Sequence, residues 1–253
     1  QIDTKSKISP KITQDKSKNL NRLSKNSFLS ILKQLNNFIK KLNPKKQAST
    51  WDKYSKDNTY DEEESLIKLR IANEFYDKNN IKSLVDLGCN DGRFSEYAAQ
   101  RKINVIGFDF DLNALNRAYN KSKKKNLNFL PLYSDFTNPS SNLGWNDSER
   151  KSLNIRGKFE AAIALALIHH LVIAKNIPLE QAVKWLVSFS PIGLIEFVPK
   201  EDPTSQIMLS LKGDIFPDYN EKKFEEILST YKKIKKISKI TNSDRKIYEY
   251  ESR

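Results

Sequence analysis

Three aspartates, each at the end of an apolar run, are the residues of this chain best placed to do chemistry. Asp86 precedes "LGCNDGRFS", Asp109 ends "IGFD", and Asp135 stands in "YSDF". After the first comes a turn holding Gly88 and Gly92, in a chain with only 7 glycines. Glycine lets the backbone turn sharply and lets a ligand approach it closely. A helix starting at such a turn points its first amides at the ligand. The dinucleotide fingerprint G-x-G-x-x-G is not met, because Asn90 replaces the second glycine and Arg93 the third. An aspartate before the turn also repels phosphate and suits a cation such as a sulfonium or ammonium. The pattern therefore points to a nucleoside without phosphates, with Cys89 and Asn90 completing the turn around it. Asp109, 21 residues after Gly88, can accept from both ribose hydroxyls. Phe110 can lie against a purine ring. Asp135 can accept from an adenine amino group, with Phe136 as packing.

A second set of residues can move protons. His169 and His170 are the only 2 histidines, at the end of "AAIALALIHH". Either can act as general base toward a hydroxyl acceptor; the structural alternative is that one orders the loop and the other packs beneath it. Glu196 lies in "LIEFVPK", where an acid is costly unless paired. It reads either as a base or acceptor-orienting carboxylate, or as a buried partner for Arg150, Arg156 or a backbone amide. Trp145, Glu149 and Arg150, in the turn-rich "NPSSNLGWNDSER", can shape an acceptor pocket or form a packed lid. Tyr54 and Tyr60, with Trp51, can close over the ligand or clasp the first helix of the body. The single cysteine excludes a multi-Cys zinc site. Two histidines with Glu196 or a nearby Asp make only a sparse ligand set, so no metal is assigned.

The elements that must position these residues follow from periodicity. From residue 61 the chain alternates helical and strand patterns. Five short apolar runs, 81–87, 104–108, 127–132, 159–166 and 193–198, read as strands, with helices over 93–102, 113–124 and 178–189. Near-continuous apolar strands alternating with helices mean a parallel sheet covered on both faces. A helix over 219–230 is followed by two strand-like runs, 234–240 and 246–251, separated by "TNSD", which predicts a hairpin at one edge. The expected fold class is thus α/β, with a seven-stranded, mostly parallel sheet, a C-terminal antiparallel hairpin and helices on both faces.

Charge divides the 253 residues in two. Residues 1–50 carry 11 Lys and Arg22 against Asp3 and Asp15, a net +10, which leaves only +3 of the chain's +13 for the rest. The basic pI describes a leader, not the body, and an acidic polymer is not the expected partner of the body. Residues 1–24 show no periodicity and read as disordered. Over about 27–42 an amphipathic helix is expected, either covering an apolar patch of its own or an adjacent domain, or lying on a membrane. No apolar run approaches the roughly 20 residues a spanning helix needs. The lone cysteine and the lack of a signal peptide fit a cytoplasmic protein. The first residue is Gln, so a fragment of a longer chain is expected.

"VDLGCNDGRFS", "GFDFD" and "SDF" together resemble the motifs of the class I S-adenosylmethionine-dependent methyltransferases. The resemblance covers about residues 51–253. It implies a Rossmann-like methyltransferase sheet, S-adenosylmethionine as cofactor, and cofactor contacts at Asp86, Gly88, Gly92, Asp109, Phe110 and Asp135. "WDKYSKDNTY", "LPLYSDFTNPSSNLGWNDSER", "ALALIHHLVIAKNIPL" and "IEFVPKEDP" resemble, more narrowly, the family that includes nodulation host-specificity proteins of rhizobia. Its members carry an additional N-terminal region. The Asn/Asp-Pro-Pro-aromatic motif of amino-methylating DNA enzymes is missing after the fourth strand, and Cys89 is misplaced for cytosine-C5 chemistry. The leading expectation is methyl transfer to O or N of a small molecule or glycan. The alternatives are an RNA- or ribosome-associated methyltransferase recruited by the leader, and a non-catalytic cofactor-binding module of a larger protein.

Overall fold

The computed structural model describes residues 23–42 and 62–253 apart from 242. Contacts divide the chain into two units, Gln1–Lys46 and Gln47–Arg253. The first contains α1 (Lys25–Lys41), capped by Ser24, whose hydroxyl accepts from the Ser27 amide at 3.1 Å.

The second unit runs α2 (Glu62–Asn79), β1 (Ser83–Leu87), α3 (Arg93–Gln100), β2 (Asn104–Asp109), α4 (Leu112–Lys125), β3 (Phe129–Tyr133), α5 (Leu153–Arg156), β4 (Ala161–Ala164), α6 (Leu179–Leu186), β5 (Ile192–Phe197), α7 (Pro203–Lys212), α8 (Glu221–Tyr231), β6 (Lys233–Lys239) and β7 (Lys246–Glu251). The strands form one sheet in the order β3-β2-β1-β4-β5-β7-β6. β1 to β5 are mutually parallel, and β7 pairs antiparallel with both β5 and β6. Strand order reverses between β1 and β4, and in an open parallel sheet ligands bind beyond the carboxyl ends of the strands at that point.

Both faces are covered, which is why the inner strands are apolar at nearly every position. One face packs Val85, Phe108, Ala162 and Ile195 under α6 and α8, with Val183, Leu186, Phe224 and Leu228 as the contacting side chains. The other packs Leu84, Val105, Ile163 and Leu194 under α2, α3 and α4 through Phe75, Ala98 and Ala118. The two edges are built differently from the centre. β3 holds Pro131, whose missing N–H is tolerated in an outermost strand. β6 reads "KIKKISK", and its lysines are exposed.

Several features depart from the sequence reading, among them the short helix α5 and the start of β4 at Ala161. β4 stops at Ala164 instead of running to 166, because Ala166 takes a left-handed φ of 49°. Helix α7 was not expected. Its start is nevertheless marked, since Asp202 caps it by accepting from the Thr204 amide at 2.9 Å and Pro203 occupies the first turn.

Candidate functional site

The carboxyl ends of β1, β2 and β4 open onto a cleft of about 280 Å³. Its floor is the turn after β1. Gly88 and Gly92 have φ of 80° and 77°, which an L side chain rarely adopts. At Gly92 space forbids a side chain as well, since a Cβ would lie 2.4 Å from the Phe129 ring. Asn90, in the place of a glycine, is also left-handed at φ 48°, and asparagine tolerates that conformation better than most residues. The amides of Gly88 and Cys89 both donate to the Phe108 carbonyl, at 2.8 and 3.0 Å, which ties the turn to the end of β2.

Asp86 and Asp109 both line the cleft. Asp86 is buried and accepts from the Ser95 hydroxyl at 2.7 Å. Burial, reinforced by the charge of Asp109, raises its carboxyl to about 7. Asp109 accepts from the Asn90 amide at 2.8 Å and the Asp111 amide at 2.9 Å, one on each oxygen. Those bonds fix the carboxylate plane. Burial raises its pKa, against the pull of the backbone amides of Asp111, Asn90 and Phe110. Phe110 and Phe136 both line the cleft, and Phe136 is braced by Phe108 and Trp185 at centroid distances of 6.4 and 5.0 Å. Cys89 lines it too, with its thiol pushed up by burial and therefore inert as a nucleophile.

Asp135 departs from expectation. It does not line the cleft, and its carboxylate accepts from the amide and hydroxyl of Thr137 at 2.9 and 2.7 Å. This is an Asx turn that shapes the loop after β3 and delivers Phe136.

The two histidines separate. His170 lines the cleft, while His169 is fully buried behind it, ring against ring at 4.1 Å. His169 is therefore placed as a core residue, not at the ligand. Burial and the nearby Arg245 charge lower His170 to about 4, so its imidazole is neutral at pH 7. Glu196 is corrected likewise. It is fully buried, is absent from the cleft wall, and pairs with Lys68 at 2.6 Å and with Arg245 at 3.7 Å, not with Arg150 or Arg156. Its other oxygen accepts from the backbone amide of Ala166 at 2.9 Å, the amide partner envisaged from sequence. Arg245 continues to Asp202 at 2.5 Å.

Trp145, Glu149 and Arg150 do not line the cleft either. They lie in a tight loop closed by the Leu143–Arg150 bridge, where Trp145 is 84 % exposed and a Cβ at Gly144 would meet the Glu149 side chain. Tyr54 and Tyr60 lie outside the described residues. Among the described residues no group of three His, Cys, Asp or Glu side chains could hold a metal. No described helix is long and apolar enough to cross a membrane.

The cleft also has walls that sequence reasoning missed. Ser65 and Lys68 enter from α2, and Leu165 to Leu167 from the segment after β4. Lys68 is buried, and burial draws its ammonium below its ordinary value despite the Glu196 partner.

Seven strands with a reversed terminal hairpin, a glycine turn after β1 and an acid at the tip of β2 make up the fold of the class I S-adenosylmethionine-dependent methyltransferases, and the chain shares that fold. Among proteins of known name it is similar to nodulation protein NoeA of Rhizobium meliloti (strain 1021), 41% identical over 233 residues. That match covers 91% of this chain and 49% of the relative, so the chain spans about half the relative's length. The fold is shared with magnesium protoporphyrin IX methyltransferase from Synechocystis PCC 6803, solved with bound SAH, at a TM-score of 0.55 and 14% identity, covering 87% of this chain and 95% of that one. It is shared too with the PH0226 protein of Pyrococcus horikoshii OT3, at a TM-score of 0.53 and 16% identity, covering 78% and 94%. No protein-family model matches the chain.

Proposed function

We propose that this domain transfers a methyl group from S-adenosylmethionine to an oxygen or nitrogen of a small molecule or glycan. The observation that carries the reading is the pairing of Asp86 and Asp109 on one cleft around the Gly88–Gly92 turn. The residues present suit the cofactor. Asp109, held in place by backbone amides on the cleft wall, can accept from the ribose hydroxyls. Phe110 and Phe136 offer aromatic walls for a purine. Asp86 faces a cleft in which a cationic ligand would draw it into the ionised form. Bound S-adenosylmethionine supplies an electrophilic methyl group on a positively charged sulfur.

The chain's own contribution is then alignment and proton removal. His170, in the cleft wall, is the side chain we assign to take a hydroxyl proton from an acceptor; lowered to about 4 it is a weak base, so alignment must carry most of the rate. The +3 charge of residues 51–253 gives no strong field for a polyanion and favours a small acceptor over nucleic acid.

Calorimetric titration with S-adenosylmethionine and S-adenosylhomocysteine tests the reading. Saturable binding of both is expected, and Asp109→Ala should weaken it by about tenfold or more through loss of charge-assisted hydrogen bonds. Absence of binding by the unsubstituted protein sinks the proposal.

A further inference from the structure

The helix of the first unit carries an apolar surface of its own. None of the residues of α1 is buried, and Phe28, Ile31, Leu32, Leu35, Phe38 and Ile39 are each 44–62 % exposed. At helical pitch these six fall within an arc of about 120°. The remaining arc is Ser, Asn, Gln and Lys, apart from Leu29. Every charged side chain of α1 is a lysine, at 25, 33, 40 and 41, with no acid among them.

We propose that α1 lies in the plane of an anionic lipid surface. The argument is complementarity of both faces at once. The acyl boundary takes the Phe, Leu and Ile arc, and anionic headgroups take the ammonium groups, whose long stems let them reach outward beside the buried arc. A nucleic acid would answer the lysines but offers nothing to Phe28, Leu35 and Phe38. An apolar groove on a protein would answer the arc but leaves the single sign of charge without a cause. The helix is about 25 Å long and too polar to span a bilayer, so it lies on the surface. The inference rests on α1 alone and is independent of methyl transfer.

The test is co-sedimentation of the full chain with vesicles of phosphatidylcholine alone and of phosphatidylcholine with roughly one-third phosphatidylglycerol. Binding to the anionic vesicles is expected to be at least about tenfold stronger and to fall with salt. Leu35→Gln combined with Phe38→Gln leaves the charge unchanged and should abolish most of it, while Lys33→Gln with Lys40→Gln should weaken it. An unchanged thermal midpoint shows that these variants leave the second unit folded. Equal binding to both vesicles, binding to neither, or full binding by the Leu35→Gln/Phe38→Gln variant overturns the proposal. So does an oligomer that this variant dissolves in a protein that ignores vesicles, because the occupant of the face is then another protein surface.

Discussion

The carboxylate of Glu196 reaches across from β5 to hold the backbone amide of Ala166 at 2.9 Å, and Ala166 is the left-handed residue at which β4 gives way to the cleft wall. A non-glycine residue in that conformation costs about 1–2 kcal/mol. Strain of this kind persists where the surroundings over-determine it. Here the fixing agent is a buried carboxylate that also holds Lys68 and Arg245. The same residue thus sets the path leading to His170 and neutralises a cation in the wall.

Glu196→Leu should destabilise the protein by about 3–5 kcal/mol, because it takes from the buried Lys68 ammonium its carboxylate partner at 2.6 Å and leaves Arg245 with Asp202. Glu196→Gln should cost less, because an amide oxygen can still accept from Ala166. Urea unfolding at constant m measures both. A loss below about 1 kcal/mol for the Leu variant would show that the charges find other partners.

Gly92→Ala should lose about 2–3 kcal/mol from steric conflict and an unfavourable backbone region together. The new Cβ meets the Phe129 ring at 2.4 Å with φ held at 77°. Combining it with Phe129→Leu should relieve only the steric part, which a double-mutant cycle reads directly.

The pH dependence of stability has two opposing contributors. Asp86, raised to about 7, keeps in the native state a proton that the unfolded chain has already lost above about pH 4. Its contribution therefore falls as pH rises from about 4 to 7. His170, lowered to about 4, stays neutral while the unfolded chain takes up a proton below about pH 6.5. His169 is lowered in the same direction, by burial and by its neighbour. Their contribution is lost as pH falls through that window. Asp86→Asn should therefore leave a steeper loss of stability on acidification between pH 7 and 4 than the unsubstituted protein shows, measured by denaturant midpoints across pH.

The imidazoles can be observed singly, since the chain has only 2 histidines. Nitrogen-detected NMR should find both neutral from pH 8 down to about 5. A midpoint above 6 for His170 would mean that its ring is solvated and not lodged in the wall.

For a cationic ligand the Asp86 effect reverses in use. Affinity for S-adenosylmethionine should rise with pH between about 6 and 8, with proton release on binding below pH 7, as the carboxyl of Asp86 ionises beside positive charge. Calorimetry in buffers of different ionisation enthalpy counts that proton. Asp86→Asn should bind more weakly and without release.

The placing of Asp86, Gly88 and Gly92 on one cleft was legible because their geometry is local, a strand tip, a turn and a helix start within a few residues; Asp109 joins them because β2 lies parallel beside β1. Asp135 was read by the same local logic. The stretch Asp135-Phe136-Thr137 has an Asx-turn signature, and one carboxylate oxygen, Oδ1, accepts twice from Thr137. Lys68, Ala166 and Arg245 were not legible. Arg245 reaches Glu196 only because the β5–β7 register brings position 247 opposite 196. The left-handed turn at Ala166 has no glycine or asparagine to announce it. Lys68 lies on a helix whose apolar period says which face is inward but not that a lysine shares it.

The borders of the sheet carry a further consequence. A strand arriving beside β6 would have to bring its backbone against a row of ammonium groups, and one arriving beside β3 would find a proline where a donor is wanted. Growth by strand addition is disfavoured at both ends of the sheet.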